Sequence, residues 1–170
     1  MDLTKFIRDV PNFPKEGILF KDITTLLQNY EAFNYTLNQL YEFSRGKGIT
    51  KVVGIESRGF IFGGALADKL NAGFVPIRKP GKLPSKTIKQ EYSLEYGMDA
   101  IEIHEDALKP DDIILLHDDL LATGGTMKAA CKLIEKLGAK VNEISFIIEL
   151  DFLHGKDLLE NYLVNSIIHY

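Results

Sequence analysis

The sequence predicts an α/β domain with a mainly parallel central sheet flanked by helices, and three observations predict it. Four apolar, β-branched runs, ITKVVGI (49–55), FVPIRK (74–79), IILLH (113–117) and VNEISFIIEL (141–150), lack the strict alternation of a half-solvated strand. Helical segments intervene at 59–70 and 126–139. Strand, helix, strand in repeated order requires crossover connections, which parallel strands need and hairpins do not. At 170 residues the chain is long enough for one domain with a substantial core. We therefore read 1–170 as a single unit, with an N-terminal hood over about 1–30, a core over about 31–170 and a flexible lid loop over about 80–97.

Taken in order, residues 2–9 predict a short amphipathic helix that ends before Pro11. The next segment, 10–22, combines turn formers (Pro11, Pro14, Gly17) with Phe13, Ile18, Leu19 and Phe20. An apolar loop has something to cover. Phe33, Leu37, Leu40, Tyr41 and Ser44 recur at helical spacing across 30–45. The 59–70 segment, GFIFGGALADKL, is a helix whose small residues permit close approach to a sheet. From Pro80 to Gly97 there is no clear period, and loops of that length in compact domains are usually lids or binding loops. IEIHE (101–105) predicts a strand. The helix at 126–139 places Met127, Ala130, Cys131, Ile134 and Leu137 on one face and stops at Gly138. A short helix at 157–162 and a last strand at 163–170 complete the chain.

Composition narrows the function classes. The net charge of −4 argues against generic nucleic-acid binding, for which domains are usually basic. One cysteine, Cys131, allows no intrachain disulfide; on the apolar helix face it is a small core residue rather than a nucleophile. No window is apolar enough to span a membrane and the first ten residues have no signal-like core, so a cytoplasmic location is expected. Neither nucleotide fingerprint, G-x-x-x-x-G-K-[ST] or G-x-G-x-x-G, is present, and His104, His117, His154 and His169 do not pair at metal-ligand spacing.

The chemistry concentrates between Ile113 and Thr126. An apolar strand reaches the carboxyl edge of the sheet, where open α/β folds bind ligands. There it meets Asp118 and Asp119, followed by Ala122-Thr123-Gly124-Gly125-Thr126 at the start of a helix. Small residues let backbone amides converge on an anion, the helix terminus favours negative charge, and Thr123 and Thr126 add hydroxyl donors. Carboxylates cannot ligate phosphate; they suit a divalent cation or the cis hydroxyls of a ribose. Acids followed by a phosphate cradle spell ribose 5-phosphate. A capped glycine turn with solvated acids is the bland alternative, and the flanking strand and amphipathic helix weigh against it.

The run HDDLLATGGT closely resembles the phosphoribosyl-pyrophosphate motif of type I phosphoribosyltransferases. With FPKEGILFKD (13–22), GIESRGFIFG (54–63), RKPGKLPSKT (78–87) and EYSLEYG (91–97), the resemblance covers nearly all of the chain and points to the adenine-specific branch. It implies the type I fold and a purine-salvage reaction in which adenine and 5-phosphoribosyl 1-pyrophosphate give AMP and pyrophosphate. It also implies magnesium, a homodimer, and no nucleic-acid or membrane partner.

Residue by residue, the resemblance assigns Asp118, Asp119 and 122–126 to the ribose phosphate. Ser57 and Arg58 go to the pyrophosphate, with a cis peptide at Glu56–Ser57. Arg78, Lys79 and Lys82 are implied as further pyrophosphate contacts, with Arg78 reaching into the neighbouring subunit's site; on charge alone they read as a solvated run. Glu95 is the acid–base candidate at the purine N7, Arg58 its catalytic companion, and Tyr96 a further lid contact. Phe20 stacks on adenine while the backbone near Leu19 and Lys21 reads its edge. Magnesium is expected to be held mainly by pyrophosphate and ribose oxygens rather than by protein ligands. Two positions depart from the family pattern: Lys21 replaces a commoner arginine, and His117 occupies a usually apolar strand position. The competing functions are a 6-oxopurine or xanthine phosphoribosyltransferase and a non-catalytic purine-sensing regulator of the same fold.

Overall fold

The computed structural model describes residues 1–94 and 97–170, the side chain of Leu94 excepted. Five parallel strands form the central sheet in the order β4 (Gly73–Ile77), β3 (Lys51–Ile55), β7 (Ile113–Leu121), β8 (Lys140–Glu149) and β9 (Val164–His169). Each inner strand is buried on both faces, which is why its sequence is continuously apolar. On one face lie α2 (Tyr30–Ser44) and α3 (Gly59–Lys69), packed through Leu40, Phe62 and Leu66 onto Val52, Leu115 and Ile147. The other face receives α4 (Gly125–Lys136) through Met127, Ala130, Cys131 and Ile134. Cys131 is buried there, and burial pushes its thiol up to about 12. No helix among the described residues is long and apolar enough to cross a membrane.

Small residues set the approach of α3 to the sheet. A Cβ on Gly63 would lie 2.9 Å from the Phe74 ring, and one on Gly54 2.8 Å from it. The Phe33 and Phe62 rings stack at 4.5 Å, joining α2 to α3.

Three parts differ from the sequence expectation. Residues 2–9 form no amphipathic helix: a 3-10 turn spans Leu3–Phe6, and β1 (Arg8–Pro11) pairs antiparallel with β2 (Leu19–Asp22). The apolar loop at 10–22 is therefore a hairpin, and a short α1 (Thr24–Gln28) follows it. The lid expected as an irregular loop over 80–97 is a strand in its second half: β5 (Thr87–Leu94) pairs with β6 (Gly97–His104). Ile88, Gln90 and Tyr92 turn inward while Lys89, Glu91 and Ser93 are exposed. That alternation hides in the sequence because one of its inward residues is polar. Finally, β7 runs past His117 to Leu121, because β8 alongside it continues to Glu149 and pairs with Leu120 and Leu121. Asp118 and Asp119 are thus carried by a central strand and not by a loop.

Candidate active site

The carboxyl ends of β3, β4 and β7 open into a cleft of about 280 Å³, with the β5–β6 hairpin as its outer wall. Ser57, Arg58, Arg78, Lys79, Asp118, Asp119 and Thr126 all line it. A smaller depression of about 90 Å³ adjoins it, formed by 122–126 together with Asp118 and Phe146. Residues drawn from three separate sequence motifs therefore meet at one sheet edge, the place where open α/β sheets bind ligands.

The acids come from β7, whose successive side chains project to opposite sides. Asp119 is buried and ion-paired with the Arg58 Nε–H. Burial opposes charge on Arg58, but Asp119 outweighs it and holds the guanidinium above its ordinary range. Asp118 accepts the Asp119 amide at 2.9 Å. Although it keeps an opening to the cleft, burial and the adjacent Asp119 carboxylate raise its pKa well above the usual range. The pair is poised to accept hydroxyl donors, since hydrogen bonds from a ligand would relieve the burial of one acid and the competition for the other.

Gly124 takes a left-handed conformation (φ 83°) as the residue preceding α4, and no side chain caps the helix. The first amides of α4 therefore face the depression without helical partners, an anion-binding arrangement. The cradle is closed from behind by Gly155, in a 3-10 turn spanning Gly155–Leu159. A Cβ on Gly155 would run into the Ala122 carbonyl oxygen and lie 3.0 Å from the Gly124 nitrogen. Gly155 went unnoticed in the sequence reading; a lone glycine about thirty residues downstream carries no local signal.

At the β3 end, the Glu56–Ser57 peptide is cis, as the resemblance implies. Glu56 gathers the basic residues: it accepts Arg78 Nε–H at 3.1 Å, the Lys79 backbone N–H at 2.9 Å and Lys82 Nζ at 2.5 Å. Burial pushes the Glu56 carboxyl up, but the Lys82, Lys79 and Arg78 donors outweigh it and hold it below its ordinary range. Lys79 also bonds Asp99 on β6 and donates to Tyr92 Oη at 3.2 Å. The solvated-run reading of Arg78, Lys79 and Lys82 is thus replaced by a paired cluster at the cleft, although Lys82 stops short of the wall itself. Glu56, Tyr92 and Asp99 are members of this cluster that the sequence reading passed over; their signal is only the acid and tyrosine counterparts of cations already singled out.

The hood meets the cleft through Arg58, and no described hood residue, Phe20 included, lines the cleft itself. The Phe20 ring lies between Phe13, edge-on at 5.1 Å, and the Arg58 guanidinium, 5.1 Å from its centroid. Leu19 is exposed and Lys21 buried, and neither lines the cleft. Glu95 and Tyr96 lie outside the described residues. One further group of potential metal ligands, Glu149, Asp151 and His169, stands at the ends of β8 and β9. Its members already satisfy one another and their neighbours: His169 Nδ1 is 2.9 Å from Asp151, and Ser166 donates to Glu149 at 2.6 Å.

An acid pair, an amide cradle and a cation cluster surround one cleft, donors and charges of the kinds that anions and polyhydroxylated ligands call for. The phosphoribosyl transferase domain model matches residues 21–167, and the chain belongs to that family. It is 58% identical to the adenine phosphoribosyltransferase of Bacteroides fragilis over 159 residues, 94% of this chain and 89% of that protein. Its fold superposes on the adenine phosphoribosyltransferase of Thermoanaerobacter pseudethanolicus with a TM-score of 0.97, at 47% identity, covering 99% of this chain and 98% of that one. The Saccharomyces cerevisiae adenine phosphoribosyltransferase, solved with adenine and an imino-altritol bisphosphate, gives a TM-score of 0.92 at 41% identity, with 98% and 96% covered.

Proposed function

We propose that this protein is an adenine phosphoribosyltransferase, joining adenine to 5-phosphoribosyl 1-pyrophosphate to give AMP and pyrophosphate. The observation that carries the reading is the convergence of Asp118, Asp119, Thr126, Arg58 and Lys79 on one cleft, under a hood whose Phe20 ring lies against Arg58. In the reaction the purine N9 bonds to C1′ of the ribose, the C1′–oxygen bond to pyrophosphate breaks, and the purine loses its N9 proton.

The residues supply what such a displacement needs. Amides at the start of α4 and the hydroxyls of Thr123 and Thr126 hold the 5-phosphate. Asp118 and Asp119 take the ribose hydroxyls. Ser57, Arg58, Arg78 and Lys79 face the leaving pyrophosphate, where fixed cations stabilise developing charge. Glu56 and Asp119 hold those cations in place until the more highly charged pyrophosphate competes for them. Glu95 is proposed as the acid–base group at N7, and Tyr96 as a further lid contact. Phe20 covers the base.

Magnesium fits this donor set as a companion of the substrate. Asp119 is engaged by Arg58, and Asp118 is biased toward its protonated form, so neither is a ready metal ligand; pyrophosphate and ribose oxygens are. Bound there, the ion would neutralise charge on the leaving group. A homodimer is proposed as well: Ile61 and Phe74, both exposed on α3 and β4, give an apolar face not far from Arg78 in the chain.

The test is turnover with each free base in the presence of phosphoribosyl pyrophosphate and magnesium. Adenine should be converted, with guanine, hypoxanthine and xanthine at least about 100-fold less efficient, a ratio within what unpaired polar edges can give. Activity confined to 6-oxopurines would reject the adenine assignment, and none with any base would favour a sensing role. Sedimentation at micromolar concentration should give twice the 19.1 kDa chain mass.

A further inference from the structure

Lys21 is expected to act through its backbone, yet its side chain is only 9% exposed in this structure, uncommon for lysine. Two groups hold the buried ammonium. The Asp9 carboxylate, from the facing strand β1, lies 2.7 Å away, and the Tyr170 ring has its centroid 3.8 Å from Nζ. Tyr170 itself is fastened to the core: its N–H donates to the Glu149 carbonyl at 3.0 Å, and its carbonyl accepts the Asp151 N–H at 2.9 Å. The β1–β2 hairpin is a separate two-stranded sheet, unpaired with the central one. A tie through Lys21 therefore joins the hairpin to the end of β8 by side chains where no ladder does so. Lys21 directly follows Phe20, the aromatic ring set over Arg58.

We propose that Tyr170 is a positioning residue for the purine site: by gripping the Lys21 ammonium it fixes where β2 presents Phe20 and the flanking backbone. The proposal rests on the functional reading above. It also explains why Lys21 is compatible with a role played by backbone groups, since its side chain anchors the strand that carries them. Among the described residues, no hydrogen bond, ion pair or ring contact links Tyr170 to the acids of β7 or to the amide cradle, so its influence should fall on the base and spare the phosphoribosyl substrate.

The test compares Tyr170→Ala, Tyr170→Phe and Lys21→Met in the full chain, with steady-state kinetics for both substrates. Tyr170→Ala and Lys21→Met should raise KM for adenine about 3- to 30-fold, the scale of a desolvated cation–π contact, with KM for phosphoribosyl pyrophosphate within about twofold of wild type. Tyr170→Phe keeps the ring and should restore adenine KM. Equal rises in both KM values, an unchanged adenine KM in Tyr170→Ala, or a Tyr170→Phe protein as impaired as Tyr170→Ala would overturn the proposal. Should wild type prefer another purine, the adenine assignment fails and the same comparison is read on that base. Should it turn over no base, amide exchange decides. Residues 18–22 should exchange faster in Tyr170→Ala than in wild type or Tyr170→Phe, and equal rates in all three would reject the tie.

Discussion

His117 is a buried imidazole on the central strand, with Nδ1 3.0 Å from Ser145 Oγ and Nε2 without a hydrogen-bond partner, alone in this among the buried side-chain atoms described. Burial outweighs the contact with Ser145 and lowers its pKa to about 4. An unfolded chain would titrate this group near 6.5. Between those values the unfolded state takes up a proton that the native state refuses, so stability contributed by His117 is intact above about pH 6.5 and is lost as pH falls toward 4. Over the interval from pH 7 to pH 5 the loss should be about 2 kcal/mol. Urea unfolding of wild type and His117→Leu at both pH values checks this: the variant should lose about 2 kcal/mol less than wild type across the interval. Parallel losses would assign the acid sensitivity to carboxylates instead. The sequence marked His117 as out of pattern, but that Nδ1 would meet Ser145 on β8 and Nε2 be stranded depended on how β7 is buried in the sheet.

At the scale of elements, the parts with a strong local pattern were legible and the parts made by pairing were not. The strands of the central sheet and helices α2, α3 and α4 announce themselves because each buries a long apolar run or stripe. The strands of the hood hairpin and of β5–β6 carry many exposed residues, so their sequences look like loops. The same split runs through the site. Asp118, Asp119 and 122–126 were legible as neighbours in one segment, whereas the 3-10 turn that backs the cradle joins it only in space. That turn carries the next prediction. Gly155 packs backbone against backbone on Ala122 and Gly124, and neither wall is the movable end of a side chain. Gly155→Ala should push the cradle outward, costing about 1–3 kcal/mol of stability as overpacking does. It should also raise KM for phosphoribosyl pyrophosphate at least about tenfold, because a displacement near 1 Å misplaces phosphate donors. Thermal unfolding and steady-state kinetics measure both. A stable Gly155→Ala protein with wild-type KM would mean that the turn merely touches the loop.

For the molecule as a whole, a chain of net charge −4 has to attract a strongly anionic substrate. It does so locally: Arg58, Arg78, Lys79 and Lys82 are collected at one edge of the sheet, and the acids Asp119, Glu56 and Asp99 screen them there. The substrate therefore competes with the protein's own carboxylates, and its binding energy enters as stabilisation of the folded chain that holds those groups together. At a phosphoribosyl pyrophosphate concentration one hundred times its Kd, that linkage is worth about 2.7 kcal/mol. For a domain of this size it should raise Tm by about 5–10 °C. Replacing both strand acids, Asp118→Asn with Asp119→Asn, turns two carboxylate acceptors into weaker amide acceptors and changes no hood residue. The double variant should lose most of the shift with phosphoribosyl pyrophosphate while its affinity for adenine changes less than about threefold. A chelator added to wild type should shrink the shift if magnesium enters with the pyrophosphate. A double variant that retained the full shift would make the acid pair a structural feature of β7, and the cation cluster with the α4 cradle would then carry the substrate alone.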